Sequence, residues 1–501
     1  MQVLRAEEMY DWDRKAMESY GREGQVLMEN AGRAIAEEIL RKFPETEKFL
    51  IVIGGGNNGG DGYVIARILK DRRRIATAVQ VVPDEKIKGD ALYHKRVYEQ
   101  SGYSLSSLSE EVWNENTVLV DAMLGIGVKG ALRAPFDELV SKVNESQMHR
   151  ISVDIPSGLP ADEGVKEFQA VKADTTYIVQ APKQSLFLDH TAGYYGEWKV
   201  LDIGLPPMAS PKVSREIWTE GAFAESFPVL PGSAHKGTRG KGLIVGGGRM
   251  MPGALMMAAR ASIRAGAGLT TAATVRDIIP YLTPSLPEAM FAGTGESSGV
   301  ISSVDPEVLE GKDAVAVGVG MGREPESRPV IEMLLSRTSG PLLIDADGLY
   351  HLRFLLDDLK KRQEVTVLTP HFGEMAHLTG EEVSEVKRNP FSLSRSLAYE
   401  YGVYLVLKGP NTIITTPEGS QIIEPSGNEG LSKGGSGDVL TGVLLTMLMQ
   451  HESPVKALAN GCFLHGRTAE LLISKNRTVL DLLPTDLTDG LSLTYRTFLP
   501  R

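Results

Sequence analysis

The residues with the clearest chemical potential form a glycine-rich turn, Gly434-Gly435-Ser436-Gly437-Asp438, followed by the apolar stretch VLTGVLLTMLM. Glycines let backbone amides approach a phosphate closely, and the amino end of a helix adds free N–H groups and a favourable dipole. Asp438 stands where a carboxylate could accept a proton from an attacking hydroxyl. A helix cap would also explain Asp438, but not the glycines around it. The turn therefore predicts phosphate binding and transfer.

Two further segments offer ligand contacts in the same half of the chain. Lys408 follows the apolar run Leu405–Leu407 and could meet a phosphate, although a single lysine after a strand is usually solvated. His371, in the segment TPHFGE, could contact a ligand or be hydrogen-bonded in place. No spacing resembles a zinc site, and the GxxxxGK[ST] pattern is absent from the sequence. We therefore expect a nucleotide held without a Walker loop.

The N-terminal half contains its own glycine-rich loop, GGGNNGGDG over 54–62, after the apolar run Phe49–Ile53. Such a loop suits an anion, or simply a tight strand-to-helix turn. Asp121 and Asp154 each follow a short apolar run, and a second glycine-rich loop covers 125–130. Because the ends of neighbouring parallel strands meet at one sheet edge, these side chains are predicted to converge.

The same region offers oxygen ligands for a metal ion. Asn58, Asp121 and Ser157 supply amide, carboxylate and hydroxyl oxygens, which suit a hard monovalent cation. Structural capping is the alternative for these residues. Asp154 is the candidate acid/base group of this half.

The surrounding elements indicate an α/β protein of two domains. The order strand, glycine loop, helix occurs first at Phe49–Leu69 and again at Gly242–Ala267, and the alternation of strands and helices in the first half predicts a doubly wound sheet. Proline and small residues over 204–211 have the composition of a linker. We therefore expect domains over 1–215 and 216–501.

Composition limits the class of partner. The chain has 501 residues, with 53 basic and 64 acidic side chains and a formal charge of −11, which argues against nucleic acid and anionic membranes as partners. The single cysteine, Cys462, and the charged N-terminus favour a cytoplasmic protein. The apolar stretch Val439–Met449 is about half a bilayer span and is predicted to be a buried helix. Small ligands are the expected partners, and a homo-oligomer is expected.

The C-terminal motifs resemble a known family. Asp345-Ala346-Asp347, TPHFGE over 369–374, KGPNT over 408–412 and the segment 428–438 are similar to the ribokinase-like domain of the NAD(P)H-hydrate dehydratases. That family phosphorylates the C6 hydroxyl of a hydrated nicotinamide, using ADP in bacterial and archaeal members, and loss of phosphate then regenerates NADH or NADPH. Since hydroxide is a poor leaving group and phosphate a good one, a kinase-type site can drive a dehydration.

This resemblance implies the residues of two subsites, with magnesium accompanying the ADP. The hydrate would be bound by Ala254, Gly320, His371 and Asp438, with Asp438 as the base. ADP would be bound by Lys408, Gly409, Pro410, Asn411, Thr412, Asn428, Glu429, Gly430, Leu431, Ser432, Lys433, Gly434, Gly435, Ser436 and Gly437.

The N-terminal motifs resemble the NAD(P)H-hydrate epimerase domain, which has a Rossmann-like fold, interconverts the R and S hydrates and binds potassium. The matching segments are 28–32, 57–62, 121–125, 153–158 and 170–174. The resemblance implies potassium at Asn58, Asp121 and Ser157. It places the hydrate at Asn57, Asn58, Gly59, Gly60, Asp61, Gly125, Ile126, Gly127, Val128, Lys129, Gly130, Ala131 and Asp154. Ile126 replaces the threonine usual in the family, so epimerase activity is reduced if that hydroxyl matters.

Together the two resemblances follow the domain order of the bifunctional NAD(P)H-hydrate repair enzymes. They imply repair of the hydrates of NADH and NADPH (NADHX and NADPHX), with ADP converted to AMP and phosphate. Two alternatives stay open: a ribokinase-type kinase for a sugar or vitamin alcohol with an accessory domain, and a non-catalytic nucleotide sensor. The residues alone do not separate ADP from ATP, because both present the same two phosphates to such a turn.

Overall fold

The computed structural model describes residues 1–46, 48–109, 112–113, 118–229 and 231–499. The chain divides into two compact units, Gln2–Val213 and Met1 with Ser214–Arg501. Each unit is built on one sheet with helices, so the predicted α/β class is confirmed. No helix in the described ranges is long and apolar enough to cross a membrane.

The N-terminal unit contains a six-stranded, wholly parallel sheet in the order β2-β1-β3-β4-β5-β6. Its strands are β1 Lys48–Ile53, β2 Ile75–Gln80, β3 Val118–Ala122, β4 His149–Val153, β5 Thr175–Val179 and β6 Glu197–Leu201. Its helices include Ala6–Tyr20, Gly24–Lys42, Asn57–Asp71, Gly89–Gln100 and Phe136–Glu145. The order reverses between β1 and β3, and ligands of such sheets bind at the carboxyl ends beside this point.

Alternate residues of β1 explain why helices cover both faces of this sheet. Phe49, Ile51 and Ile53 pack in one core cluster with the helices Gly24–Lys42 and Asn57–Asp71. Leu50 and Val52 pack in another cluster, with the helix Phe136–Glu145. A strand buried on both faces must be apolar throughout, which is the pattern of β1. The predicted doubly wound sheet is therefore confirmed.

The first forty residues form two helices, whereas the apolar residues at helical spacing over 26–39 predict only one, ending near Phe43. The unexpected helix, Ala6–Tyr20, ends at Gly21, whose φ of +62° lies in the left-handed region that glycine adopts readily. Met9, Trp12 and Ala16 are its buried residues, and they pack against Leu27, Ala31 and Ile203. Its apolar face is short and its sequence is rich in charge, so its periodicity gives a weak signal.

The C-terminal unit contains an eleven-stranded sheet in the order β11-β10-β9-β8-β12-β13-β14-β15-β16-β17-β7. The strands are β7 Arg215–Ile217, β8 Lys241–Val245, β9 Leu269–Val275, β10 Met290–Ser297, β11 Val300–Ser303, β12 Ala314–Val317, β13 Leu342–Ile344, β14 Thr366–Leu368, β15 Tyr404–Leu407, β16 Thr412–Thr415 and β17 Gln421–Glu424. Pairing is parallel from β10 through β15 and antiparallel from β15 to β17. The carboxyl ends of the central strands therefore share one edge.

The helices of this unit position the glycine-rich turn, residues 434–438, at that edge. They are Glu220–Ser226, Pro252–Ala265, Ile279–Leu282, Arg328–Arg337, Asp347–Leu352, Leu356–Leu359, Phe372–Thr379, Val383–Arg388, Pro390–Tyr401, Ser436–Gln450, Pro454–Lys475 and Pro484–Phe498. Val439–Met449 lies within Ser436–Gln450 and is largely buried, as predicted. Gly442 allows this helix to approach the helix Pro252–Ala265 closely, since a Cβ there would collide with the carbonyl of Ala258.

Candidate active sites

The glycine-rich turn of the C-terminal unit ends in the helix Ser436–Gln450. Gly435 has a φ of +102°, and a Cβ at this position would lie 2.7 Å from the side chain of Met257, so the turn requires glycine here. The N–H of Ser436 is bonded to the carbonyl of Lys433, at 3.2 Å. The N–H groups of Gly437 and Asp438 have no hydrogen-bond partner within the described ranges. This helix start can therefore bind an anion.

Asp438 lies in this first turn, next to a group of charged side chains. Burial raises the pKa of Asp438 to about 7, and the negative charge of Asp345 adds to the increase while Lys408 opposes it. A carboxyl with a pKa near neutrality can accept and release a proton under working conditions. Asp438 therefore has the properties of a general base beside an anion site.

Lys408 is held near Asp438 by a buried ion pair. Its Nζ lies 2.7 Å from Oδ1 of Asp345 and 3.7 Å from Oε2 of Glu374, and only 18 % of its side chain is exposed. Burial lowers the pKa of Lys408, but the charges of Asp345 and Glu374 outweigh burial and leave that pKa raised. A Cβ on Gly437 would lie 3.6 Å from this Nζ. The lysine is thus a fixed charge beside the turn, not a solvated one.

Asp345 connects this lysine to the helix. Its Oδ2 accepts a hydrogen bond of 2.6 Å from Oγ1 of Thr441, one turn along the helix from Asp438. Burial alone would raise the pKa of Asp345, but Lys408 and the hydroxyls of Thr441 and Thr369 hold it below the ordinary value. The sequence analysis included Asp345 only in a motif. Its position directly after β13 is the signal that could have identified it.

His371 caps the helix Phe372–Thr379. Its Nδ1 accepts hydrogen bonds from the backbone N–H groups of Gly373, at 2.9 Å, and Glu374, at 3.2 Å. The side chain is 58 % exposed, and its backbone pairs with that of Lys408 in an isolated bridge. His371 is therefore both held in place and available to a ligand, so the two alternatives for it are compatible.

Ala254 and Gly320 lie together, as expected for two contacts of one ligand. A Cβ on Gly320 would be 2.9 Å from the Cβ of Ala254. Gly320 has a φ of +57°, and its carbonyl accepts a 2.6 Å hydrogen bond from Gly248, in the glycine loop after β8. The loops after β8 and β12 are thus joined at the carboxyl edge.

The residues predicted to bind ADP differ in exposure and in whether their side chains already have hydrogen-bond partners. Oδ1 of Asn428 accepts a hydrogen bond of 3.0 Å from the N–H of Gly430, which shapes the loop before the turn. Lys433 donates to the carbonyl of Leu480 at 2.6 Å, so its ammonium is already partnered. Exposed positions in these segments are Pro410, Glu429, Ser432 and Gly434, and the buried ones are Gly430 and Ser436. The partly exposed ones are Lys408, Gly409, Asn411, Thr412, Asn428, Leu431, Lys433, Gly435 and Gly437.

The N-terminal unit has a cavity of about 500 Å³ at the carboxyl ends of its strands. Predicted residues that line it are Asn57, Asn58, Asp61, Gly125, Ile126, Gly127, Val128 and Asp154. Lining residues that the sequence analysis missed include Met9, Tyr10, Asp13, Met123, Leu124, Val179 and Ile203. The first three belong to the unexpected helix, and no local motif marks them.

Five predicted hydrate contacts do not line this cavity. Gly59 and Gly60 are packing positions, where a Cβ would collide with the carbonyl of Gly54 and with Sδ of Met28 respectively. Lys129, Gly130 and Ala131 are exposed beyond the end of the lining loop. Their role in binding stays a prediction.

Asp154 is oriented by strong hydrogen bonds. Its Oδ1 accepts from Nζ of Lys183 at 2.6 Å and from the N–H of Val179 at 2.9 Å. Lys183 is 1 % exposed, and its buried ammonium forms an ion pair with Asp154. Asp154 also has a φ of +63°, which is strained for a residue with a side chain and is typical of functional sites.

Ser157 connects the other two predicted potassium ligands: its N–H donates to Asp121, and its hydroxyl meets Asn58 at the carbonyl oxygen of Leu124. This oxygen accepts from Nδ2 of Asn58 at 2.7 Å and from Oγ of Ser157 at 3.2 Å. Asp121 is fully buried, and burial raises its pKa although Ser157 and Ser152 donate hydrogen bonds to it. Oδ1 of Asn58 is buried without a hydrogen-bond partner in the described part of the chain. An oxygen-rich site with one unpartnered oxygen fits a potassium ion.

The fold and the two sites define the class of protein. One unit is a Rossmann-like parallel sheet with a carboxylate-lined cavity at its switch point, and the other is an α/β unit with a glycine-rich turn, a buried carboxyl and a fixed lysine beside it. A ribokinase-like superfamily protein of Enterococcus faecalis matches this fold at a TM-score of 0.50, with 24 % identity over 57 % of this chain and 97 % of that one. The protein is thus a two-domain enzyme of Rossmann-like and ribokinase-like units.

Comparison with known proteins defines the family. Residues 242–492 match the family model described as NAD(P)H-hydrate dehydratase, and residues 24–185 match that of the YjeF-related protein N-terminus. The bifunctional NAD(P)H-hydrate repair enzyme of Moorella thermoacetica is 34 % identical over 99 % of this chain and 97 % of its own length. An ADP/ATP-dependent NAD(P)H-hydrate dehydratase structure from Bacillus subtilis is 31 % identical, covering 56 % of this chain and 98 % of that one, at a TM-score of 0.49. The chain belongs to the family of bifunctional NAD(P)H-hydrate repair enzymes.

Proposed function

We propose that this protein restores hydrated NADH and NADPH in two steps. The N-terminal unit interconverts the R and S hydrates, and the C-terminal unit dehydrates the S hydrate with ADP, giving AMP and phosphate. The observation that carries the proposal is the position of Asp438, a buried carboxyl at a helix start with free N–H groups and a lysine beside it. Both units match the models of this family, which supports the division of labour.

In the C-terminal unit, Asp438 accepts the proton of the C6 hydroxyl. The hydroxyl oxygen then attacks the terminal phosphorus of ADP, and AMP leaves. The free N–H groups at the helix start and the ammonium of Lys408 stabilise the charge on the transferred phosphoryl group. Asp345 acts as a positioning residue, because it keeps Lys408 charged and fixed. The C6–O bond then breaks with phosphate as leaving group, and the lone pair of N1 forms the N1=C6 bond. A proton then leaves C5 to water, the C5=C6 bond forms and the electron pair returns to N1, which restores the dihydronicotinamide.

In the N-terminal unit, Asp154 acts as an acid/base group that donates or accepts a proton at the hydrated carbon. Epimerisation at a carbon that bears a hydroxyl requires proton movement and a cationic or ring-opened intermediate, so a fixed carboxylate in the cavity suits the reaction. Lys183 and the N–H of Val179 hold its Oδ1, while Oδ2 has no partner among the described residues. Ile126 lines the same cavity, so the wall has an apolar side chain where the family has a hydroxyl.

We propose potassium and magnesium as the two metal ions. Potassium would be held by Asn58, Asp121 and Ser157, where it would supply the partner that Oδ1 of Asn58 lacks. Magnesium would accompany the nucleotide, since Mg²⁺ in such sites is bound largely by phosphate oxygens and water. A protein cage is then not required, and the described residues contain no group of three His, Cys, Asp or Glu that could form one.

The proposed small-molecule partners are NADHX, NADPHX and ADP. We propose a homo-oligomer in the cytoplasm, with neither nucleic acid nor membrane as partner. The formal charge of −11 supports the absence of nucleic acid and anionic membrane as partners, and the single buried cysteine supports the cytoplasmic location.

The test supplies ADP and each purified hydrate epimer in turn. We expect NADH from the S hydrate at once and from the R hydrate after epimerisation, with one AMP formed per NADH. Failure to form NADH from the S hydrate would refute the dehydratase. A phosphorylated product that persists would favour the ribokinase-type alternative, and tight binding without turnover would favour the sensor.

A further inference from the structure

The unexpected helix Ala6–Tyr20 forms one wall of the N-terminal cavity. Met9, Tyr10 and Asp13 line the cavity from this helix. A Cβ on Gly127 would lie 2.8 Å from the hydroxyl of Tyr10, so the helix touches the glycine loop on the opposite wall. The match to the family model begins only at residue 24, after the helix has ended. The site therefore includes a wall that lies outside the segment matched by the family model.

The helix is fixed firmly enough to hold a reacting group. The N–H of Leu4, just before it, donates to the carbonyl of Pro182 at 2.9 Å, and Leu4 pairs with Lys183, the partner of Asp154. Nε1 of Trp12 donates to the carbonyl of Pro206 at 3.2 Å. Met9, Trp12 and Ala16 pack in a core cluster, which fixes the helix. Asp13 on this helix lines the same cavity as Asp154.

Asp13 is unusual among the charged groups of this unit because nothing neutralises it directly. Its carboxyl has no hydrogen-bond or ion-pair partner within the described ranges, and the same holds for Asp61 across the cavity. Both residues also line an adjoining cavity of about 110 Å³, together with Asp90. When carboxyls lie close together, the repulsion between their charged forms favours the protonated form of some of them.

Inversion at C6 needs proton exchange on both faces of the ring. The hydroxyl leaves from one face and a new oxygen must arrive on the other, so one fixed carboxylate cannot serve both events. Asp154 and Asp13 stand on different walls of the same cavity, at the end of β4 and on the first helix. We propose that Asp13 is a second catalytic residue of the epimerase, exchanging the proton on one face while Asp154 does so on the other. This inference rests on the epimerase function proposed above.

The step balances with water as the co-reactant. Protonated Asp13 gives its proton to the C6 hydroxyl, the C6–O bond breaks with loss of water, and the lone pair of N1 forms the N1=C6 bond. A water molecule then adds to the other face, the new C6–O bond forms, the electron pair returns to N1, and Asp154 takes the excess proton. The reverse reaction uses the same two groups with their roles exchanged.

The charges around Asp13 suit this exchange. Burial raises the pKa of Asp13 to about 6; Lys183 opposes the increase and Asp154 adds to it. Burial, with the charges of Asp154 and Asp13, raises the pKa of Asp61 well above its ordinary value, which makes Asp61 the weaker proton donor of the two. Tyr10 and Asp90 are the other titratable groups beside Asp13. A group that titrates near the working pH is the better proton carrier.

The test measures interconversion of the R and S hydrates by the full-length protein. In Asp13→Asn we expect kcat to fall by about 100-fold or more, with KM changed only a few-fold. Asp13→Glu should recover part of that loss. The matched control is Asp11→Asn, on the same helix with half of its side chain exposed and paired with Arg14, and it should stay within about twofold of wild type. Because Asp13 donates its proton, the wild-type rate in this direction should fall as pH rises through about 6, and that alkaline limb should disappear in Asp13→Asn.

Two further readouts separate the outcomes. ADP-dependent turnover of the S hydrate should be unchanged in Asp13→Asn, which reports that the C-terminal unit is folded. A KM for interconversion that changes only a few-fold reports the same for the N-terminal unit. In ¹⁸O-labelled water each inversion should introduce one labelled oxygen at C6. Wild-type kcat in Asp13→Asn, a change in KM alone, or inversion without label would overturn the inference. A wild-type protein that does not interconvert the hydrates would overturn the proposed epimerase function itself, and the inference with it.

Discussion

Asp438→Asn tests the reasoning about the phosphate turn, because it should remove activity and add stability at the same time. The difference between a pKa of about 7 in the folded protein and the ordinary 3.8, at about 1.4 kcal/mol per pH unit, gives an upper bound of about 4 kcal/mol. Because the folded-state pKa is raised, the folded protein binds the proton more tightly, and this stability is lost as pH rises from about 4 through 7. The asparagine variant carries no such charge.

We therefore expect the free energy of unfolding of Asp438→Asn, measured with denaturant, to equal that of wild type near pH 4. At pH 8 it should be about 2 to 4 kcal/mol higher than that of wild type. Its dehydratase kcat should fall by about 100-fold or more, since a general base has been removed. The control is Asp357→Asn, with 92 % of its side chain exposed, which should change neither quantity. A variant that is less stable than wild type at pH 8, or that keeps its activity, would refute the assignment of Asp438.

Three further predictions concern both sites. Lys408→Met should destabilise the protein by about 3 to 5 kcal/mol, because Asp345 would be left buried without its cation; adding Asp345→Asn should restore stability in denaturant unfolding but not ADP-dependent activity. Wild-type dehydratase kcat/KM should rise between about pH 5 and 8, with its midpoint near the pKa of about 7, as Asp438 becomes the carboxylate; a flat profile would contradict this. Asn58→Ala should raise the potassium concentration for half-maximal epimerase rate by about tenfold, or about 1.4 kcal/mol, while dehydratase activity stays constant.

Much of the fold could be predicted from local sequence. Apolar strands such as Phe49–Ile53 and Gly242–Val245 are followed directly by glycine loops and then helices, and that order dictates parallel sheets with their loops at one edge. The same order placed Asp154 at the end of β4 and Asp438 at a helix start. The helix Ala6–Tyr20 escaped prediction because its apolar face is narrow, and with it escaped one wall of the cavity.

The sequence by itself determined the elements that carry chemistry, because strand, turn and helix signals depend on residues close together in the chain. Only the tertiary structure decided which charges meet. Lys408 and Asp345 are 63 residues apart, yet their ion pair fixes the cation beside Asp438. Asp13 reaches the cavity of Asp154 through a helix that has no motif. The pKa of a carboxyl depends on burial and on neighbouring charges, and both are set by packing between distant segments.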